Sequence, residues 1–345
     1  MVIGASAGGV PALLELASGL PRELPAALFV VVHSSPDSPG FLPQMVDRAG
    51  PLAADFAMDG AEIHPGRFHV APPDRHLLLD GERMCVTRGP QENGFRPAVD
   101  PLFRTAARTL GPRVTGIVLS GGLNDGTHGL QEIKRHGGVA MVQHVDDAVV
   151  PSMPLSAIRH VEVDYVLPVR EMPAVITRLA SEPLKGRTMA RTRTARKDVA
   201  VRGTHALHQE KPAGTLAPFT CPACGGTLWE SRDGKLLSFN CHVGHGFTAE
   251  SLMANQDNGV ETVLWSALRA LEEKAALRRR MAEHARRGKL LPMVSSYERH
   301  AAEGERQANV LRAMLTQDDG RPIGSERAAA ESRKRPRKQK RRKRR

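Results

Sequence analysis

Aromatic side chains are scarce in this chain: they make up 4% of its 345 residues, with two Trp, two Tyr and nine Phe. A core built from it must be mostly aliphatic, and the apolar share of 41% is ordinary enough for a sizeable one. No apolar run reaches the length of a membrane-crossing helix. No basic segment precedes the first apolar one, as a secretory signal requires. These absences point to a cytoplasmic protein. The apolar start runs straight into glycines, and this first strand is so short that a few residues are expected ahead of Met1. Cysteine is sparse too, with four residues. Cys85 stands alone on an apolar stretch and reads as a core residue. Cys221, Cys224 and Cys241 cluster, which in a reducing compartment argues for a metal, not a disulfide.

Acidic charge falls short of basic charge, leaving a net +12. Eleven of the basic residues lie between Arg333 and Arg345, and the remainder is close to neutral. The folded part therefore lacks the charge of a nucleic-acid binder. The tail, 318–345, is expected to be disordered and to touch polyanions only non-specifically.

Residues 1–180 read as one α/β domain. Apolar strand-like runs at Ala27–His33, Val114–Ser120, Val139–Gln143 and Val163–Leu167 alternate with helical patterns over 10–19, 39–48, 100–110, 128–136, 153–160 and 170–180. This rhythm predicts a doubly wound, mostly parallel sheet covered on both faces. Between His76 and Thr87 it changes to a hairpin turning at Asp80-Gly81, expected as an antiparallel appendage at the sheet edge. Residues 181–216 have no apolar periodicity and read as a flexible linker. A small Cys/His module follows at 217–248. Residues 249–317 read as a helical hairpin broken near Gly288–Pro292, with Leu264, Leu268, Leu271 and Ala275 forming a seam.

Ser6 lies in the turn Gly4-Ala-Ser-Ala-Gly8, between the first apolar run and the first helical pattern. That turn fits G-x-S-x-G, the elbow that exposes a nucleophilic serine. Glycine-rich strand-to-helix turns also bind phosphates and dinucleotides, so the turn alone leaves both open. A serine nucleophile needs a base and a group to orient the base. In an open parallel sheet such residues gather beyond the carboxyl ends of strands. His33 ends the second apolar run, and Asp125 follows the run Val114–Ser120. Either could instead cap a helix or hold a loop, but all three sit just past strands and could converge. A dinucleotide site would want a carboxylate where His33 stands.

Collinear motifs over residues 1–180 resemble one family, the chemotaxis protein-glutamate methylesterases. Gly4–Gly9 is similar to its G-A-S-x-G-G, and Val30-Val-Val-His33 to its strand ending in a histidine. Ala71-Pro-Pro-Asp-Arg-His76 resembles A-P-x-D-x-H, and Arg96-Pro-Ala-Val-Asp100 resembles R-P-S-V-D. Leu119-Ser-Gly-Gly-Leu-Asn-Asp-Gly126 fits L-S/T-G-x-x-x-D-G, and Met153-Pro154 fits a late M-P pair. The resemblance implies Ser6 as nucleophile, His33 as base and Asp125 as orienting carboxylate, with no catalytic cofactor. The backbone N–H groups of Ala7 and Gly122 are the oxyanion candidates. It implies hydrolysis of glutamyl methyl esters on a methylated chemoreceptor-like protein, with glutamine deamidation by the same acyl transfer. The sequence departs from the family at Ala7, at Gly94-Phe95, and at Gly121-Gly-Leu123 in place of G-M-G. The receiver domain that usually precedes the family's catalytic domain is not in this sequence, so control by phosphorylation in cis is expected to be absent. The rival reading is a non-catalytic signalling scaffold, with the α/β domain and the extension serving as binding surfaces.

In the Cys/His module, Cys221-Pro-Ala-Cys224 is a knuckle that offers two ligands from one tight turn, and Cys241-His-Val-Gly-His245 follows. Cys221, Cys224, Cys241 and His245 make a closed Cys3His set for structural zinc. His245 is preferred over His242, which is adjacent to Cys241 and strained for sharing one metal.

Overall fold

The computed structural model describes residues 1–182, 214–233, 236–288 and 291–316. The basic tail and nearly all of the expected linker lie outside the described residues. Among the described residues, those up to Met253 form one compact unit and those from Ala254 onward another.

The first unit is built on a seven-stranded sheet in which every pairing is parallel. Its strands are β1 (Val2–Ala5), β2 (Leu28–Val32), β3 (Ala53–Phe56), β4 (Arg67–Val70), β7 (Thr115–Val118), β8 (Val139–Gln143) and β9 (Tyr165–Leu167), in the order β3-β4-β2-β1-β7-β8-β9. Helices α1 (Gly9–Ser18), α2 (Leu42–Ala49) and α6 (Met172–Ser181) cover one face, and α3 (Val99–Leu110), α4 (Thr127–Arg135) and α5 (Ser152–His160) the other. Alternate residues of each strand serve the two cores: Val2, Phe29 and Val31 pack on one side, Ile3, Ala5, Leu28 and Val30 on the other. Burial on both faces explains the unbroken apolar runs of β1 and β2.

The hairpin β5 (His76–Asp80) and β6 (Arg83–Thr87) is present, but it corrects the expected placement. It forms a separate two-stranded sheet, bridged at Arg83 to Glu62 in the segment before β4, and lies over α3, where Thr105 and Thr109 hydrogen-bond the Leu79 backbone. The edge of the main sheet beyond β2 is β3, joined through β4, and neither strand has a counterpart in the sequence reading. Both are four residues long, and polar residues interrupt them: Asp55 in β3, Arg67 and His69 in β4. The reversal falls on Gly81-Glu82, one residue later than expected, because Asp80 pairs with Arg83.

The Cys/His module is an antiparallel sheet of β10 (Thr215–Thr220), β11 (Thr227–Asp233), β12 (Leu236–Cys241) and β13 (Gly246–Thr248), in that order. It begins at Thr215, inside the stretch read as linker, and α6 runs one residue into that stretch at Ser181. Ala217, Leu228, Phe239, Phe247 and Leu252 form its small core together with Cys221 and Cys241.

Helix α7 (Ala249–Arg287) leads out of the first unit, and α8 (Leu291–Thr316) follows the expected break. In the second unit, Leu268, Ala275 and Ala282 on α7 and Val294, Ala301 and Ala308 on α8 are buried at seven-residue steps, with Ala285 three residues after Ala282. That spacing is a coiled-coil seam, here lined largely by alanine. Ion pairs of Arg279 with Glu305, Arg286 with Glu298 and Arg312 with Glu272 flank it.

Candidate active site

Strand order reverses at β1: the chain first builds outward through β2 to β4 and β3, then crosses back to β7. Clefts beyond the carboxyl ends of strands form at such reversals. Ser6 follows β1, His33 follows β2, and Asp125 lies in the loop after β7, so three adjacent strands deliver the three side chains to one rim.

The structure brings them into contact. His33 Nδ1 is 3.1 Å from Ser6 Oγ, and His33 Nε2 is 2.7 Å from Asp125 Oδ2. A carboxylate only accepts, so Nε2 carries the proton and donates to Asp125, leaving the Nδ1 lone pair facing the serine hydroxyl. The His33 and Asp125 side chains are 4% and 1% exposed, while Ser6 remains accessible in the cleft.

The turn that carries Ser6 is tightly specified. Gly8 sits at φ +72°, in the left-handed region, as it caps α1. The Ser6 N–H donates to Ser120 O, and Ser120 Oγ donates to Ala7 O, tying the β1 turn to the β7 loop. Gly121 is needed for close approach: a Cβ there would lie 2.9 Å from the Ser6 Cβ and overlap the Met153 sulfur. The Gly121 N–H donates to Val150 O, whereas the N–H groups of Ala7 and Gly122 have no acceptor among the described residues.

Asp125 is held from several sides. Oδ2 accepts from the Val99 N–H at 2.6 Å as well as from His33, and Oδ1 accepts from Asn93 Nδ2, the Asp100 N–H and the Gly126 N–H. Val99 and Asp100 open α3, so the unpaired donors of a helix N-terminus point at this carboxylate. Burial opposes its ionisation, but the His33 interaction and the Val99 and Asn93 bonds outweigh burial and hold its pKa below the ordinary carboxylate value. Asp100 behaves oppositely: burial first, and then the charge of Asp125, push its pKa well above the usual range.

The loop 88–98 between the hairpin and α3 supplies what sequence reading missed. Phe95 stacks on the His33 ring, with centroids 3.7 Å apart and planes 10° from parallel. The loop is fastened by Arg96, which donates to Asp74 and to Gly89 O, and by His76, whose Nε2 meets Pro90 O at 2.9 Å. Burial lowers the His76 pKa, consistent with a neutral ring that accepts from the Ala98 N–H at Nδ1. The motif residues Asp74, His76, Arg96 and Asp100 thus shape the support of Asp125 without joining the contact set around Ser6. The signal for Phe95 was present only as a departure from the expected polar pair.

The α/β domain has known relatives. The family model described as CheB methylesterase matches residues 1–176. The chain belongs to the CheB methylesterase family. A protein-glutamate methylesterase/protein-glutamine glutaminase of Anaeromyxobacter dehalogenans is 40% identical over 159 residues, 46% of each chain. A putative protein-glutamate methylesterase/protein-glutamine glutaminase of Leptospira interrogans is 34% identical over 188 residues, 54% of this chain and 97% of that one. The crystal structure of the Thermotoga maritima CheB methylesterase catalytic domain is 33% identical, with a TM-score of 0.50 over 52% of this chain and 96% of that one. The chain spans about half the length of the Anaeromyxobacter relative and of a Pyrococcus abyssi relative, 46% and 51% respectively. In this CheB methylesterase family member the matched region ends within α6, ahead of the Cys/His module.

That module also gathers its expected residues. The ligand atoms of Cys221, Cys224, Cys241 and His245 all lie within 4.8 Å of one another. Cys224 Sγ is 3.8 Å from Cys241 Sγ, and His245 Nδ1 is 3.7 Å from Cys221 Sγ and 3.5 Å from Cys241 Sγ. No disulfide forms. Cys85, read as core, is half-buried on β6, and burial raises its thiol pKa to about 11, so it is a poor nucleophile. No described helix is long and apolar enough to cross a membrane.

Proposed function

We propose that this chain is a serine esterase that removes methyl esters from glutamyl side chains of a methylated chemoreceptor-like protein, and deamidates glutamine by the same route. The contact of Ser6 with His33, and of His33 with Asp125, carries the reading. As Ser6 Oγ attacks the ester carbonyl, its proton passes to His33 Nδ1, and Asp125 balances the imidazolium that forms. The N–H groups of Ala7 and Gly122 receive the oxyanion; one such donor contributes roughly 3 kcal/mol. Nδ1 then returns the proton to the departing methoxide, which leaves as methanol, or to the departing amide nitrogen, which leaves as ammonia. Water enters, gives its proton to Nδ1 and cleaves the acyl-enzyme, releasing glutamate and the Ser6 hydroxyl. Phe95 shields one face of the imidazole from water and limits its rotation.

The Cys3His cluster supports structural zinc. Tetrahedral bonds of about 2.3 Å separate ligand atoms by about 3.8 Å, close to the spacing of these three sulfurs and one nitrogen. All four positions come from the protein, so zinc there organises the fold and touches no reacting atom. Unpaired thiols in such a cluster fit a reducing compartment, the cytoplasm. Methanol release from a methylated receptor tests the function. Wild-type protein releases it and Ser6→Ala does not; equal release by both would overturn the reading.

A further inference from the structure

The residues that follow the fourth cysteine/histidine ligand do not stop at the module. Directly after His245, β13 lies against the loop that supports Asp125: the Asn93 N–H donates to Gly246 O at 2.8 Å. The Thr248 N–H and Ser251 Oγ both donate to Asn93 Oδ1, at 3.0 and 2.9 Å. The other end of the same amide donates to Asp125 Oδ1 at 3.0 Å and to Asp100 Oδ2 at 3.1 Å. Thr248 Oγ1 donates to Asn124 Oδ1, and Asn124 Nδ2 donates to Glu250 Oε2, both at 2.8 Å, so the neighbour of Asp125 is clamped as well. Asn93, Asn124, Thr248 and Ser251 are each at most 4% exposed.

This arrangement fixes more than a contact surface. The Asn93 amide has all four of its hydrogen-bonding positions filled, two by carboxylates and two by the module. Its orientation is therefore set, with N–H groups toward Asp125 and oxygen toward Thr248 and Ser251. Asn93 itself adopts φ +54°, a conformation that Asn tolerates better than most residues and that here depends on its surroundings. Without the module, Asn93 Oδ1 loses both donors and its N–H loses Gly246. The module in turn has a core of a handful of apolar residues, too small to hold its sheet without a metal clamp.

Resting on the esterase reading above, we propose that the metal-bound Cys/His module is a working part of the hydrolytic site. Thr248 and Ser251 hold Asn93, and Asn93 holds Asp125 in line with His33. They are positioning residues, and the module makes ester cleavage metal-dependent although the metal touches no reacting atom.

The test uses the full chain, zinc-loaded and chelated. It reads the low-field NMR signal of the His33 Nε2 proton shared with Asp125, and the rate at which a fluorophosphonate labels Ser6. Chelation is expected to broaden or shift that proton signal and to slow labelling by about tenfold or more, with zinc restoring both. The variant pair Thr248→Val/Ser251→Ala, still carrying zinc, is expected to lower kcat about tenfold while KM stays within about twofold. Thr248→Ser/Ser251→Thr, which keeps both hydroxyls, should recover the rate. Should chelation unfold the whole chain, the zinc-loaded variants decide. An unchanged proton signal and labelling rate in them overturns the proposal. A wild-type Ser6 that never labels defeats the esterase reading instead, while the imidazole signal, which needs no substrate, still reports whether the module sets the His33–Asp125 geometry.

Discussion

His33 turns its Nδ1, not its Nε2, toward Ser6 Oγ, and the remaining ring nitrogen sits 2.7 Å from Asp125. The placement follows from the strands. Ser6 and His33 leave adjacent parallel strands in register, with Ala5 opposite Val32, so the histidine reaches sideways by its shorter arm. Asp125 comes from the strand on the far side of β1 and meets the longer arm.

Removing the hydroxyl should remove the chemistry. Ser6→Ala is expected to abolish fluorophosphonate labelling and to lower methanol release by at least about a thousandfold, with an unchanged unfolding transition. Release rates and circular dichroism on the same preparation check this.

Asp125→Asn should preserve the fold and lose activity by about ten-thousand-fold, because the amide favours the wrong imidazole tautomer. The same variant tests a pH dependence. The Asp125 pKa is lower folded than unfolded, so its contribution to stability is complete above about pH 4 and is lost as pH falls toward the folded value. Asp100, with a raised pKa, acts in reverse and weakens the fold as pH rises above about 4 toward its folded value. Denaturation from pH 3 to 8 should show a smaller acid-side loss in Asp125→Asn and a smaller loss toward neutrality in Asp100→Asn.

Phe95→Ala should lower kcat by roughly three- to tenfold, the worth of one aromatic stacking contact. Phe95→Tyr, which keeps the ring, should retain most of the rate. Steady-state kinetics on an activated ester separate the two.

Leu123 adopts φ +61°, a left-handed conformation that costs a branched residue roughly 1 kcal/mol. It stands where the family has glycine. Leu123→Gly should therefore leave stability unchanged or raise it slightly, in contrast to the usual penalty for a new glycine, as a denaturant titration will show.

Cys221→Ser should lower bound zinc from one equivalent to well under half, as measured by elemental analysis. The module should then become protease-sensitive before the α/β domain does.

The parallel core was legible because strands such as Leu28–Val32, buried on both faces, read as unbroken apolar runs, and because glycine-rich turns such as Gly4–Gly9 punctuate them. The strands Ala53–Phe56 and Arg67–Val70 were not: the first is a half-exposed edge strand, the second is buried but interrupted by Arg67 and His69, and four residues are too few to carry a periodicity that a loop lacks. The cluster Cys221, Cys224, Cys241 and His245 was legible because ligand spacing within one small module is a local property. Phe95 and Asn93 were not, because their partners are contributed by remote parts of the chain.

The sequence by itself determined the chemistry available: a serine on a glycine turn, a histidine and an aspartate past strand ends, and four soft ligands at metal spacing. Which ring nitrogen meets which partner, and the link from Thr248 through Asn93 to Asp125, were decided only by tertiary structure. Residue type and spacing encode local conformation and reactivity. Angles and hydrogen bonds between distant segments exist only once the sheet has set strand order and packing has brought the loops together.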